Sequence, residues 1–191
     1  VSETTRREVV EILQVPPECT SAIPLGIDGE FGPRDPEACF RALASRLPLR
    51  RPYVLYIGGI DKLKNTAGLV RAFASVARAA FARHQLVLVG PTYWLDRDIK
   101  DAIAAADLGG RILLAGPHGG EDLVRFYGAA DLFVFPTFYE GWTSPPLEAM
   151  ACGVPVVASN ASSVPETVGD AAVLVDPNDP AAIARGMCRV L

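Results

Sequence analysis

The chain has 191 residues, half of them hydrophobic, and a formal net charge of −4. This length predicts one domain plus a piece of another, with ample apolar residues for a buried core. The acidic balance argues against a nucleic-acid partner, and no apolar run approaches the roughly 20 residues of a membrane span.

No N-terminal stretch reads as a signal peptide, although a start at Val1 rather than Met leaves room for a removed targeting segment. The four cysteines, Cys19, Cys39, Cys152 and Cys188, are widely spaced and contain no C-x-x-C pair. Only His84 and His118 could help them, so no metal site is expected. The pattern suits a reducing cytoplasm.

Residues 1–50 differ in character from the rest. A helix is predicted over Thr4–Leu13 and ends at Val15-Pro16-Pro17. Cys19–Leu25 reads as a strand, Gly26–Gly29 as a turn, and Phe31–Leu49 as a connector around a short helical patch. From Pro52 the order becomes regular. Strands are predicted at Tyr53–Ile57, Leu86–Val89, Arg111–Leu114, Leu132–Phe135, Val154–Ala158 and Ala172–Val175. Helical spacing lies between them at Asn65–Ala80, Asp96–Ala106 and Glu121–Ala130. A short helix opens at Ser144-Pro145-Pro146, and a last one starts at Asp179-Pro180.

Apolar strands without alternation, each followed by a helix, imply a parallel sheet covered on both faces. The fold class is therefore α/β, a Rossmann-like doubly wound parallel sheet over residues 51–191. With the usual strand order, the first and fourth strands are neighbours at the point where ligands bind. The loops that follow them are Gly58–Asn65 and Pro136–Ser144.

The first loop reads G-G-I-D-K-L-K-N. Gly58 and Gly59 allow a tight turn, and Asn65 suits the cap of the next helix. Lys64 beside that helix start opposes the dipole unless an anion lies between them. Phosphate is one reading, and two surface lysines, Lys62 and Lys64, the other. The second loop sets Glu140 and Glu148 eight residues apart across Gly141, Trp142, Thr143 and Ser144. Plainly read, Glu140 is a solvated loop residue and Glu148 a helix-start residue favoured by the dipole. Either could also turn to a ligand. Asp96-Arg97-Asp98 spells a D-x-D pair, but acidic residues are ordinary at a helix start. His118 reads as a loop bystander that could border a base pocket, and Glu166 as a helix-start residue.

The stretch from Glu140 to Val156 resembles the E-x7-E segment of retaining GT-B glycosyltransferases, family 4 in particular. Glu140, Gly141, Pro145, Glu148, Ala149, Met150, Ala151, Gly153, Pro155 and Val156 carry the match; Thr143 and Ser144 replace a usual Gly-Leu. The resemblance implies that Glu148 accepts from ribose hydroxyls and that Glu140 lies near the donor sugar. Lys64 would hold the diphosphate, and the backbone N–H groups of Trp142, Thr143 and Ser144 would contact sugar or phosphate. Gly59 stands where the family has an Arg. Thr143 would be strained if the family glycine there needs a positive φ.

Residues 1–50 are similar to the tail of the family's acceptor-side domain and its connector, through S-x-x-x-R-x-x-V-x-x-x-L-x-V-P and P-x-G-I-D-x-x-F-x-P. The chain is thus expected to be the donor-binding part of a larger hexosyltransferase, similar to bacterial mannosyltransferases of polysaccharide or lipid-linked oligosaccharide assembly. GDP-mannose is the favoured donor, with no cofactor and no obligatory metal. Its partners would be the nucleotide sugar and the absent N-terminal acceptor domain, not nucleic acid. That domain would allow peripheral association with the inner face of the membrane. A non-catalytic nucleotide-binding module, degenerate at Gly59 and Thr143, and a GT-B epimerase are the alternatives.

Overall fold

The computed structural model describes residues 1–93 and 96–191. Six parallel strands form one sheet: β1 (Tyr53–Ile57), β2 (Gln85–Val89), β3 (Ile112–Gly116), β4 (Leu132–Phe135), β5 (Val156–Ser159) and β6 (Val173–Val175). Their order is β3-β2-β1-β4-β5-β6, the doubly wound order expected from the sequence. β1, β2, β4 and β5 are buried along their whole length, as continuous apolar runs require when helices cover both faces. Val54 of β1 pairs with Leu86 of β2 and Leu132 of β4, so β1 and β4 lie side by side at the centre.

The helices are α1 (Glu3–Leu13), α2 (Pro36–Ala44), α3 (Thr66–Val76), α4 (Arg97–Ala106), α5 (Glu121–Gly128), α6 (Pro145–Ala151), α7 (Val164–Val168) and α8 (Pro180–Val190). α3 packs with α4 and α8, and α2 packs with α5. None of the helices among the described residues is long and apolar enough to cross a membrane.

Three expectations are corrected. Cys19–Leu25 is not a strand: Pro17–Cys19 forms a 3₁₀ turn, and the mostly exposed residues after it join no ladder. The helix expected over Asn65–Ala80 stops at Val76, because the chain turns to bury Phe81 against Phe73 and His84. The Arg111 guanidinium then collects the carbonyls of Ala77, Phe81 and Ala82 at 2.9, 3.1 and 3.0 Å, satisfying acceptors left bare at that helix end. The fifth strand starts at Val156 rather than Val154, since Pro155 has no N–H to give a ladder.

Candidate functional site

The loop after β1 is fixed from beneath. The Tyr56 hydroxyl, fully buried and pushed well above its ordinary pKa by that burial, donates to the Gly59 carbonyl at 2.7 Å. The Ile60 N–H reaches the Pro91 carbonyl (3.1 Å), and the Lys64 N–H reaches Asp61 Oδ1 (2.9 Å). Gly58 and Gly90 approach so closely that a Cβ on Gly90 would sit 1.8 Å from the Gly58 carbonyl oxygen. Gly90 itself has φ +149°, a backbone state that favours glycine.

Asn65 stands at the N-cap of α3 but does not cap it with its side chain, correcting the expected role. Its amide donates instead to the carbonyls of Pro136 (3.1 Å) and Pro177 (2.7 Å), stapling the loops after β1, β4 and β6. A left-handed backbone (φ 55°, ψ 38°) makes that reach possible.

Lys64 and Glu140, 76 residues apart in sequence, meet at the mouth of β1 and β4. Lys64 Nζ donates to Glu140 Oε1 at 2.6 Å, and the two side chains are 23% and 13% exposed. The conflict between Lys64 and the α3 dipole is therefore answered within the chain, by a carboxylate. The buried hydroxyl of Thr137 lies 3.1 Å from the same Oε1 and 3.3 Å from the Leu63 carbonyl. The main chain of Glu140 is also held. Its N–H donates to Ser162 Oγ (2.8 Å), and its carbonyl accepts from Ser163 Oγ (2.8 Å).

Glu148 is not part of that pair. In the first turn of α6 its Oε2 accepts from the Tyr127 hydroxyl on α5 at 2.8 Å. Burial pushes the Glu148 carboxyl above the usual carboxylate range, and nearby Glu30 adds to this, while the Tyr127 bond acts against it. Burial and the Glu148 charge push the Tyr127 hydroxyl well up, so it stays a donor.

Between the two glutamates, Thr143 is 2% exposed and has no positive φ, so the loop accommodates threonine without the strain considered from the sequence. Its hydroxyl and the Trp142 indole N–H are buried without a partner among the described residues. A buried polar group left so costs about 1–3 kcal/mol, which a ligand can offset. Ser144 occupies the N-cap of α6 without a side-chain bond; its carbonyl accepts from the Glu148 N–H at 2.9 Å.

The remaining candidates take structural places. Asp96 caps α4 by accepting from the Ile99 N–H (2.9 Å), and Asp98 pairs with Arg71. His118 packs on Phe126 with Nδ1 3.5 Å from Asp122. Glu166 caps α1 from outside, accepting from the N–H groups of Glu3 (2.6 Å) and Thr4 (3.2 Å). Sequence reasoning missed Thr137, Ser162, Ser163 and Tyr127. Three are common hydroxyl residues in no motif, and Tyr127 is remote from Glu148 in sequence. Only Ser162, in the left-handed region at φ 48°, is unusual, and that shows only in the fold.

This sheet order, with both candidate loops at the carboxyl ends of its central strands, defines a doubly wound α/β protein of Rossmann-like class. Residues 51–191 match the family model described as "Glycosyl transferases group 1", and the chain belongs to that family. It is 38% identical over 184 residues to O-antigen chain mannosyltransferase B of Escherichia coli, covering 96% of this chain and 48% of that protein. Sucrose-phosphate synthase from Thermosynechococcus elongatus superposes with a TM-score of 0.81 at 30% identity, over all of this chain and 47% of that one. The C-terminal domain of a group 1 family glycosyl transferase from Francisella tularensis shares the fold, with a TM-score of 0.69 at 24% identity over 86% of this chain and 87% of that domain. The chain thus spans about half the length of the O-antigen relative. The family and fold expected from the Glu140–Val156 stretch are borne out.

Proposed function

We propose that this chain is the donor-binding part of a retaining glycosyltransferase that takes a sugar from a nucleoside diphosphate sugar. The observation that carries the reading is the Lys64–Glu140 pair at the mouth of β1 and β4. A cation there suits the diphosphate, and a carboxylate beside it suits the sugar hydroxyls. When the donor enters, its phosphate takes Lys64, and Glu140 is released toward the sugar. Glu148 accepts from the ribose hydroxyls and keeps its bond to Tyr127.

In the reaction the bond between anomeric carbon and phosphate oxygen breaks, and the acceptor hydroxyl adds on the same face. The diphosphate leaves with the bonding electron pair, and its freed oxygen takes up the proton that the acceptor hydroxyl gives up. Lys64 and the N–H groups of Trp142, Thr143 and Ser144 stabilise it, with no obligatory metal and no protein nucleophile. Mannose as the sugar is supported by the names of relatives, an O-antigen chain mannosyltransferase and a serotype-specific mannosyltransferase; GDP as its carrier and a saccharide or lipid-linked acceptor rest on the resemblance read from the sequence. Residues 1–50 are read as the tail of the acceptor side and its connector, and the remainder as the donor-side domain.

Calorimetric titration with GDP, UDP and ADP tests this. One nucleotide should bind, and Glu148→Gln should weaken it tenfold or more, as loss of a carboxylate acceptor predicts (about 1.5–3 kcal/mol). Binding that is indifferent to Glu148→Gln would overturn the placement of the ribose.

A further inference from the structure

α1 is attached to the candidate site by its first turn. Ser2 Oγ and Thr5 Oγ1 lie 2.7 and 3.0 Å from the Gly141 carbonyl oxygen and 2.9 Å from each other, so the two hydroxyls and that carbonyl form one hydrogen-bonded cluster in which Thr5 donates to Gly141. Ser2 is fully buried and also accepts from the Thr5 N–H at 3.0 Å, so the cap of α1 and the hold on Gly141 are one arrangement. Glu166 closes the same helix end with its carboxylate, and the Tyr139 hydroxyl donates to Glu8. Three consecutive residues of the donor loop are thereby gripped: Tyr139 and Gly141 by α1, and the Glu140 main chain by Ser162 and Ser163. α1 has no buried residue of its own, and Ile12 and Leu13 at its far end are 73% and 67% exposed. Its contact with the loop is polar and local.

The Gly141–Trp142 peptide is planar and trans, so its C=O and N–H point in opposite directions. A Gly141 carbonyl held against α1 leaves the Trp142 N–H pointing away from α1. We propose that Ser2 and Thr5 are positioning residues: α1's first turn is a clasp that sets the direction of the Trp142 N–H and the presentation of Glu140 to the donor. This rests on the donor-site reading above. It adds that the site is aimed by a helix separated from it by more than 120 residues of chain.

The test uses the 191-residue chain with Thr5→Val, Thr5→Ser and the double variant Ser2→Ala/Thr5→Val. All three should unfold cooperatively, since neither Ser2 nor Thr5 belongs to the hydrophobic core. Hydrogen exchange of the peptide spanning 138–144 should quicken about fivefold in Thr5→Val, as loss of one hydrogen bond predicts, and return to the parent rate in Thr5→Ser. In the double variant, affinity for a nucleoside diphosphate sugar should fall at least fivefold more than affinity for the bare nucleoside diphosphate. Exchange unchanged by Thr5→Val would overturn the clasp. So would quickened exchange with the sugar nucleotide bound as tightly as before. A parent chain that binds no nucleotide would instead refute the donor-site reading itself, a separable result.

Discussion

The Glu148 carboxylate is partly withdrawn from water and takes a hydrogen bond from Tyr127 at 2.8 Å. Its carboxyl is raised above the usual range chiefly by burial. The sign of the consequence follows from linkage. Between the unfolded and folded pKa values the folded chain keeps a proton that the unfolded chain has lost. Stability from this group is therefore fully present below the unfolded pKa and lost as pH rises through the folded one. Glu148→Gln cannot titrate and can still accept from Tyr127. Its Tm relative to the parent should rise between pH 4 and pH 7, by an amount of the order of 2 °C. Thermal scans at the two pH values check this, and a difference that stays flat or falls would refute it. Lys64 and Glu140 were both named from the sequence, but their direct pairing was not legible there, because nothing in a linear pattern brings positions 76 residues apart within 2.6 Å. Ser162, 22 residues from Glu140, escaped for the same reason, and Thr137, only three residues away, escaped as a common hydroxyl residue.

Among the elements, the loop after β1 depends most on a neighbour that no motif announces. Gly90 directly follows β2, and a Cβ there would fall 1.8 Å from the Gly58 carbonyl oxygen, main chain that cannot swing aside. Gly90→Ala must therefore push the β1 loop and also hold alanine at φ +149°. The expected loss is about 3 kcal/mol, from overpacking and backbone strain together. Urea unfolding measures it, and a loss below about 1 kcal/mol would show that the two loops are free to separate. The strands of the sheet were legible because each is a short apolar run bounded by polar or turn residues. The failures came where tertiary contact overrode local pattern. Cys19–Leu25 has strand composition but joins neither edge of the sheet. Ala77–Ala80 has helical spacing but yields to the burial of Phe81. α7, five residues around Pro165, is too short for periodicity to register.

Across the whole molecule, the side chains argued to touch a donor come from two loops and the start of α6, at one end of one sheet. That arrangement supplies one wall of a site. Group transfer needs an acceptor hydroxyl held against the anomeric carbon, and such positioning is worth about 7–11 kcal/mol of barrier. It also needs water kept from the same carbon. Lys64 and Glu140 retain 23% and 13% exposure, so water still reaches both side chains. The O-antigen relative is about twice as long as this chain, which covers 48% of it. The 191-residue chain is therefore expected to bind a nucleoside diphosphate yet transfer no sugar by itself. Incubation with a labelled nucleoside diphosphate sugar and a saccharide acceptor, read as labelled product, decides the matter. Product formed above the rate without protein would mean that the donor wall alone orders the acceptor, and that the division into two halves is wrong. Nucleotide binding without product would place the acceptor machinery in the other half, and adding that half, as a separate chain or in the full-length enzyme, should then restore transfer.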